Sequence, residues 1–275
     1  MFLLNCSARL HTIDSPVVMG IINTTPDSFF SGSRRQQTDD VLRQADSMLS
    51  AGAGMLDIGG QSTRPGSQRV PQEEELKRVL PAIEAIAKTF PDAFISVDTY
   101  YAKVAQHAVE AGACLVNDVS AGTIDDQLLP TVARLKVPYV LMHLKGTLEN
   151  MQQNPVYENV VTDVFDFFSF RIAQLQQMGI NDIIIDPGFG FGKTIAHNFQ
   201  LLKNLSFFKQ LHKPILIGLS RKGTIYKTLN NTPEEALNGT TVLNTIGLLN
   251  GAHILRVHDV KEAIEAIKLV QACQQ

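Results

Sequence analysis

Polar and charged side chains recur directly after short apolar runs along this chain. The set mixes carboxylates, amides, bases and hydroxyls, and comprises Asn23, residues 59–64, Asp98, Asn117, Asp118, His143, Asp186, Ser220, Arg221, Lys222, Arg256 and His258. A single Asp or Asn at such a point is typical of a turn or a helix N-cap. Turns alone do not require acids, bases and amides after every run, so the whole set predicts an active site.

Three of these side chains suit a flat heterocyclic ligand. Asp98, Asp186 and Asn117 can accept and donate hydrogen bonds in one plane, which matches a ring edge with adjacent N–H donors and ring acceptors. A guanidine-like edge is one such ligand. We therefore expect a planar, nitrogen-rich substrate.

A second group suits phosphate oxygens. Arg256, His258 and Asn23 offer cationic and amide donors, which we expect to lie opposite the carboxylates. An asparagine oxygen can also bind a hard cation such as Mg²⁺. This group predicts a phosphorylated leaving group.

Lys222 and His143 each have a second interpretation. Lys222 has the chemistry of a Schiff-base lysine, but it follows Ser220 and Arg221 in a cationic segment that fits anion or ring-acceptor contacts better. A lone histidine after a strand is more often packed than catalytic, so we predict a packed His143. The sequence contains no pair of histidines at i, i+4 that would hold a metal.

Three segments with glycine or proline follow predicted strands. Segments 24–35 and 61–70 are polar, and their composition is typical either of mobile loops over the cleft or of ordinary surface connections. Segment 186–192 carries three glycines around Phe189 and Phe191, so its backbone can approach a ligand while the rings form an apolar wall. We assign Phe191 to the site and leave Phe189 open between site and core.

The apolar runs that precede these residues predict eight buried strands. They span 17–22, 55–58, 94–97, 114–116, 139–142, 183–185, 215–217 and 254–257. Helical periodicity lies between them, as in 73–90. Eight βα units predict a single-domain (β/α)₈ TIM barrel over 1–275, with 1–16 as an N-terminal cap before the first barrel strand.

Glycines mark the predicted ends of several helices. Gly52, Gly112, Gly179 and Gly251 each stand between a helical stretch and the next strand, where a left-handed residue ends a helix. Neither GxGxxG nor GxxxxGK[ST] follows the first strand, which disfavours a doubly wound nucleotide-binding sheet. The repeated unit favours the closed barrel.

Composition excludes several classes of protein. The chain has 275 residues, 44% of them hydrophobic, and its formal charge of −3 leaves no basic excess for a nucleic-acid backbone. Cys6, Cys114 and Cys273 are odd in number and scattered, which argues against a disulfide framework or a zinc site. With no signal-like start and no membrane-length apolar run, we expect a cytoplasmic protein without nucleic-acid or membrane partners.

The motifs resemble the dihydropteroate synthase family along nearly the whole chain. They are MGIINTTPDSF at 19–29, DIGGQSTRPG at 57–66, SVDT at 96–99, ND at 117–118, LMH at 141–143, DPGFGFGK at 186–193, SRK at 220–222 and RVHDV at 256–260. Their order follows the order of the barrel strands. The resemblance is therefore long as well as specific.

The resemblance implies roles for residues that the pattern alone does not assign. It implies a pterin diphosphate site formed by Thr63, Asp98, Asn117, Val119, Met142, Asp186, Phe191, Gly218, Lys222, Arg256 and His258. It implies a p-aminobenzoate site formed by Phe29, Ser62, Thr63, Arg64, Pro65, Phe191, Ser220 and Lys222. The catalytic set implied is Asn23, Lys222, Arg256 and His258, with Asn23 as the ligand of Mg²⁺.

The activity implied joins a pterin methyl diphosphate to p-aminobenzoate and releases pyrophosphate. The carbon–oxygen bond breaks first in this mechanism, and the arylamine then attacks a pterin methyl cation. The protein stabilises departing pyrophosphate and excludes water, and it needs no nucleophile of its own. The resemblance also implies a homodimer, for which segment 236–249 has suitable small and apolar residues.

Three positions depart from the family pattern. Ser31 stands where most members have an aspartate, and Gln61 stands where most have a glutamate. We expect both changes to remove negative charge from the end of the cleft that faces the cation. Residues 223–226 also differ, and we expect them to reshape the arylamine pocket and to affect sulfonamide sensitivity.

Two alternatives keep the pterin barrel and change its role. A methyltransferase acting on a corrinoid protein would need no pyrophosphate site, and the intact Arg256, His258 and Asn23 disfavour it. A non-catalytic pterin-binding paralogue is motivated by the departures at Ser31 and Gln61. It would bind pterin diphosphate without turnover.

Overall fold

A computed structural model describes residues 1–6, 9–25, 34–61 and 69–274, with the backbone alone for 34–37. The chain opens with two antiparallel strands, β1 (Phe2–Cys6) and β2 (Arg9–Ile13). Within the predicted cap, Leu4, Cys6 and Ile13 are buried and pack under the barrel. The cap therefore covers one end of the barrel as a hairpin.

Eight parallel strands follow in the described residues. They are β3 (Val17–Asn23), β4 (Met55–Gly59), β5 (Ile95–Asp98), β6 (Leu115–Asp118), β7 (Tyr139–Met142), β8 (Ile183–Asp186), β9 (Leu216–Ile217) and β10 (Ile254–Val257). Their spatial order is β8-β7-β6-β5-β4-β3-β10-β9. A parallel bridge between Ile185 and Ile215 joins the two edges, so the sheet closes into the predicted (β/α)₈ barrel.

Helices connect successive strands of the barrel. The described helices are α1 (Arg34–Ser50), α2 (Gln72–Thr89), α3 (Ala102–Glu110), α4 (Leu128–Leu135), α5 (Val160–Gln177), α6 (Ile195–Lys203), a 3-10 helix (Leu205–Leu211), α7 (Gly223–Leu229), α8 (Leu237–Leu249) and α9 (Val260–Cys273). The glycines predicted to end helices have φ of +102° at Gly52, +119° at Gly112, +87° at Gly179 and +96° at Gly251. This prediction is confirmed.

Five of the eight barrel strands described, β3, β4, β5, β6 and β8, end one or two residues later than their apolar runs. Asn23, Asp98 and Asp186 are the last residues of their strands rather than the first residues after them. The reason is pairing across the sheet, because Asn23 lies opposite Gly59 and Asp98 lies opposite Asn117. Polar residues at one level of the ladder therefore form a row around the rim.

Side chains alternate between the barrel interior and the helical layer. The lower interior is filled by one apolar residue from each strand, and these residues are Met19, Met55, Leu115, Val140, Ile184, Leu216 and Ile254, with Phe94 beside them just before β5. Residues one position further along, such as Leu56 and Val116, pack outward against helices. The apolar floor thus lies directly beneath the polar rim.

Candidate active site

The alternation of each strand places the predicted site residues inside the barrel. Arg256 stands two residues after the floor residue Ile254, and Asp186 stands two after Ile184. Asn117 stands two residues after Leu115 in the same way. The predicted residues therefore share one interior at the carboxyl ends of the strands, where barrel enzymes bind substrate.

A network of ion pairs and hydrogen bonds lies at the centre of this interior. Arg256 Nε donates to Asp57 Oδ2 at 2.6 Å, and Arg256 Nη2 donates to Asp98 Oδ2 at 2.6 Å. Asn117 Nδ2 also donates to Asp57 Oδ2, at 2.9 Å. We expected Arg256 opposite the carboxylates, and that expectation is wrong, because the guanidinium lies between two of them.

Burial and charge oppose each other in this network. Burial raises the pKa of both Asp98 and Asp186 above the usual carboxyl range. The Arg256 guanidinium opposes the rise at Asp98, and the Lys222 ammonium opposes it at Asp186. Burial alone would lower the pKa of Arg256, but Asp57 and Asp98 raise it, so the guanidinium remains charged.

Lys222 lies beside the glycine-rich turn that follows β8. Its ammonium donates to the Phe189 carbonyl at 2.7 Å and lies 4.6 Å from the centroid of the Phe191 ring. A Cβ on Gly218 would lie 3.7 Å from Lys222 Nζ, at ordinary van der Waals distance, so the ammonium lies close to this glycine. Burial lowers the pKa of Lys222 to about 8, with the Asp186 carboxylate opposing the change.

An apolar wall lies next to the charged groups. Val119, Met142 and Phe191 are 6%, 2% and 8% exposed and belong to one packed cluster. Phe189 is fully buried in the main core, so of the two alternatives left open for it, site or core, the structure shows the core. The cleft therefore offers an apolar face and a polar edge to the same ligand.

The rim residues at the outer end also come together. Ser220 Oγ and His258 Nδ1 are 3.0 Å apart, and the His258 backbone N–H donates to Ser220 Oγ at 3.3 Å. The Asn23 side-chain oxygen lies close to Gly59, as does a carboxylate oxygen of Asp98. Arg221 does not face the cleft, because its guanidinium pairs with both Asp259 carboxylate oxygens at 2.9 Å.

The comparisons with known proteins agree with this geometry. Residues 19–258 match the family described as pterin binding enzyme. The dihydropteroate synthase of Escherichia coli (strain K12) is 42% identical over 94% of this chain and 92% of its own length. The chain belongs to the pterin-binding enzyme family.

Solved structures of this family have the same fold. The Yersinia pestis dihydropteroate synthase with a sulfonamide drug complex has a TM-score of 0.93 and 42% identity, over 99% of both chains. The Xanthomonas albilineans dihydropteroate synthase in complex with 7,8-dihydropteroate has a TM-score of 0.89 and 39% identity, again over 99% of both chains. The single-domain TIM barrel is confirmed.

Two buried residues of this family member were missing from the predicted site. Asp57 is fully buried, yet it lies inside the apolar run 55–58 and was read as part of a strand. Lys193 is 2% exposed, and its ammonium lies 2.9 Å from His143 Nδ1. Strand parity indicates Asp57, two residues after Met55, and Lys193 ends the family motif at 186–193, although no role was predicted for it.

The side chains of His143 and Gln61 are buried and packed against other residues of the protein. The His143 ring is 6% exposed and packs edge-on against Phe167, so the packed histidine is confirmed. Gln61 is also 6% exposed, donates to Glu75 Oε2 at 2.6 Å and accepts from the Tyr100 hydroxyl at 2.5 Å. We expected Gln61 to change the charge of the cleft. That expectation is wrong, because its side chain is hydrogen-bonded to Glu75 on α2 and to Tyr100.

Some predicted positions of the pterin-binding enzyme site lie outside the described residues. They are Phe29, Ser31, Ser62, Thr63, Arg64 and Pro65. Within the ranges that the structure describes, no three His, Cys, Asp or Glu side chains converge to hold a metal ion. No helix of that part of the chain is long and apolar enough to span a bilayer.

Proposed function

We propose that this transferase condenses 6-hydroxymethyl-7,8-dihydropterin diphosphate with p-aminobenzoate, giving 7,8-dihydropteroate and pyrophosphate. The observation that carries the proposal is the buried interior set of Asp98, Asn117 and Asp186 around Arg256 and Lys222. This set offers acceptors, amide groups and cationic donors to one planar ligand. The family relationship supplies the identity of that ligand.

The pterin is held by its polar edge. The carboxylates of Asp98 and Asp186 accept hydrogen bonds from ring N–H groups, and the Asn117 amide donates to and accepts from the same edge. Lys222 donates to a ring acceptor and gives up its bond to the Phe189 carbonyl on binding. The two bonds are similar in kind, so the exchange costs little.

The faces of the pterin contact different groups. Val119, Met142 and Phe191 form an apolar wall for one face. The Arg256 guanidinium, held in place by Asp57 and Asp98, lies against the ring and extends to the diphosphate. Gly218 lies beneath Lys222 and leaves the ring plane accessible.

The diphosphate lies at the outer end, with His258, Asn23 and Mg²⁺. Asn23 is half-buried at the last position of β3, and it presents a neutral amide oxygen next to Gly59. One such oxygen fits an Mg²⁺ that takes most of its other ligands from phosphate and water. The ion would supply charge neutralisation to the leaving group, and His258 would donate a hydrogen bond to a phosphate oxygen.

Bond breaking precedes bond making in the proposed reaction. The carbon–oxygen bond breaks heterolytically, and its electron pair departs with pyrophosphate. The arylamine nitrogen then attacks the methyl cation and loses a proton. Arg256 and His258 stabilise the leaving group, and the carboxylates of Asp98 and Asp186 favour positive charge on the pterin.

The p-aminobenzoate site is proposed at Ser220 and Lys222, beside Phe191. By the family resemblance, Phe29, Ser62, Thr63, Arg64 and Pro65 complete it in our proposal. The Ser220 hydroxyl is positioned by His258, which connects this end of the site to the diphosphate end. Both substrates thereby lie along one cleft.

A cytoplasmic homodimer is the proposed form of the enzyme. Val242, Ile246 and Leu249 are 49%, 37% and 56% exposed on one face of α8, within the segment predicted to form a subunit contact. A second copy would cover this face. Light scattering should find twice the 30.2 kDa mass of the chain, and a monomer mass at all concentrations would contradict the dimer.

The pterin site is tested by replacing Asp186 with asparagine. We expect Asp186→Asn to weaken binding of the pterin diphosphate roughly 10- to 100-fold in titration calorimetry, because a charged acceptor for ring N–H groups is lost. The matched control is Asp166→Asn, an exposed position on α5. Equal affinities for the two variants would show that the ligand does not bind at Asp186.

A further inference from the structure

The glycine-rich turn between β8 and α6 is held by four side-chain donors, one of which is its own Lys193. Four consecutive carbonyls accept hydrogen bonds. Phe189 O accepts from Lys222 at 2.7 Å, and Gly190 O accepts from Gln152 Nε2 at 2.6 Å. Phe191 O accepts from Lys193 at 3.0 Å, and Gly192 O accepts from the Tyr157 hydroxyl at 2.7 Å. The backbone of this turn is therefore fixed residue by residue.

The turn also lies in direct contact with the segment after β7. Gly188 has φ of +71°, and a Cβ there would lie 2.0 Å from the His143 carbonyl oxygen. Gly192 has φ of +63°, and a Cβ there would lie 2.3 Å from the Lys145 carbonyl oxygen. The two segments approach so closely that only glycine fits at both points.

The buried side chain of Lys193 connects these two segments through hydrogen bonds. Its ammonium donates to Phe191 O, lies 2.9 Å from His143 Nδ1 and donates to His143 O at 3.2 Å. Three N–H groups thus meet three acceptors at a side chain that is 2% exposed. Burial holds the pKa of His143 well below its usual range, so the ring is neutral and Nδ1 can accept.

We propose that Lys193 is a positioning residue for the pterin pocket, and that its buried ammonium fixes the turn that carries Phe191. Lys193 does not touch the ligand in this account. It sets the place of the Phe191 ring, which packs with Val119 and Met142 and lies beneath the Lys222 ammonium. The inference rests on the proposed function, because pterin is the ligand assigned to this pocket.

The charge of Lys193 supports the same role. Burial lowers its pKa to about 7, and the Asp186 carboxylate opposes that change because the two groups attract each other. The same attraction favours the ionised form of Asp186, as the Lys222 ammonium does. Lys193 therefore supports the apolar wall and, in its protonated form, the charge of a proposed pterin acceptor.

The test compares Lys193→Met with Lys193→Gln. Methionine fills similar space but leaves His143 Nδ1 and the Phe191 carbonyl without a donor, whereas glutamine keeps N–H groups in the pocket. We expect Lys193→Met to raise the Kd for 6-hydroxymethyl-7,8-dihydropterin diphosphate about tenfold in titration calorimetry, and Lys193→Gln to raise it less. Lys203→Met, an exposed position on α6, is the matched control and should leave the Kd unchanged.

Steady-state kinetics separate positioning from a general loss of stability. With both substrates saturating, kcat should change less than twofold in Lys193→Met, while the KM for the pterin rises, because the Phe191 ring contacts the bound pterin and not the leaving group. A folded Lys193→Met protein with the wild-type pterin Kd would overturn the inference. Failure of the wild type to bind pterin would instead overturn the proposed function itself.

A second variant covers the case in which Lys193→Met does not fold. Tyr157→Phe removes the donor to the neighbouring Gly192 carbonyl and keeps the ring. Both Tyr157→Phe and Lys193→Gln should then raise the pterin Kd while kcat changes less than twofold. Wild-type pterin affinity in both variants would overturn the inference.

Discussion

Asp57 accepts hydrogen bonds from two proposed pterin-binding residues. Its Oδ2 atom accepts from Arg256 and from Asn117, and it is fully buried. Among the described residues, its Oδ1 atom is buried without a hydrogen-bond partner. A buried carboxylate that orients an arginine and an amide at once is typical of a residue that preorganises a site.

Replacing Asp57 with asparagine should disturb both partners. Asp57→Asn removes the charge that holds Arg256, which then keeps only its pair with Asp98. We expect kcat/KM for the pterin diphosphate to fall roughly 10- to 100-fold, measured by initial rates of pyrophosphate release. Asp166→Asn serves as the exposed control, and wild-type kinetics in Asp57→Asn would show that Arg256 does not depend on this pair.

At the scale of the elements, strand alternation made most of the site predictable. The polar residues at strand ends were found because each follows an apolar run, and parity places them inside the barrel. Asp57 lies within such a run, as Arg256 also does, and the pattern alone did not assign it to the site. Lys193 was missed because its partner His143 lies 50 residues away along the chain. Gln61 was misassigned because its partner Glu75 lies 14 residues away. Local sequence patterns do not show such contacts.

The close packing of the glycine-rich turn predicts that a side chain at Gly188 destabilises the protein. Gly188→Ala would place a Cβ 2.0 Å from the His143 carbonyl oxygen, so the turn or β7 must shift. Gly179→Ala has the same sign of φ but meets nothing within 4 Å, and it should cost only the left-handed strain of roughly 1–2 kcal/mol. Urea denaturation should show a clearly larger loss of stability for Gly188→Ala, and equal losses would contradict the observed close approach.

Helix α2 carries a buried carboxyl that predicts a dependence of stability on pH. Burial raises the pKa of Glu75 to about 8 from 4.5, with the Thr99 hydroxyl opposing the rise, Asp98 adding to it and Arg78 opposing it. The folded state holds this proton more tightly than the unfolded state. The stability that it contributes is complete below about pH 4.5 and is lost as the pH rises to about 8.

Glu75→Gln should remove that dependence. Between about pH 6 and about pH 8, the wild type should lose up to about 1.4 kcal/mol of unfolding free energy per pH unit through this group, and Glu75→Gln should not. Urea denaturation at the two pH values measures the difference. Glu84→Gln, exposed on the same helix, should retain the wild-type slope, and the same slope in Glu75→Gln would show that the carboxyl is already ionised.

At the scale of the whole molecule, one end of the barrel is covered by a hairpin and the other end carries the candidate active site. The hairpin of β1 and β2 packs on the apolar floor, and the charged network lies at the opposite, carboxyl end of the strands. The sequence predicted the barrel and the cap. It did not predict the hairpin, because β1 alternates exposed and buried residues over only five positions and β2 buries only Ile13.

The central claim is that this barrel joins a pterin to an arylamine. The most direct test supplies 6-hydroxymethyl-7,8-dihydropterin diphosphate and p-aminobenzoate with Mg²⁺, and measures dihydropteroate and pyrophosphate together. We predict that the two products form in equal amounts and that omission of p-aminobenzoate abolishes dihydropteroate formation. Tight binding of the pterin diphosphate without either product would contradict the account and would identify a pterin-binding protein without synthase activity.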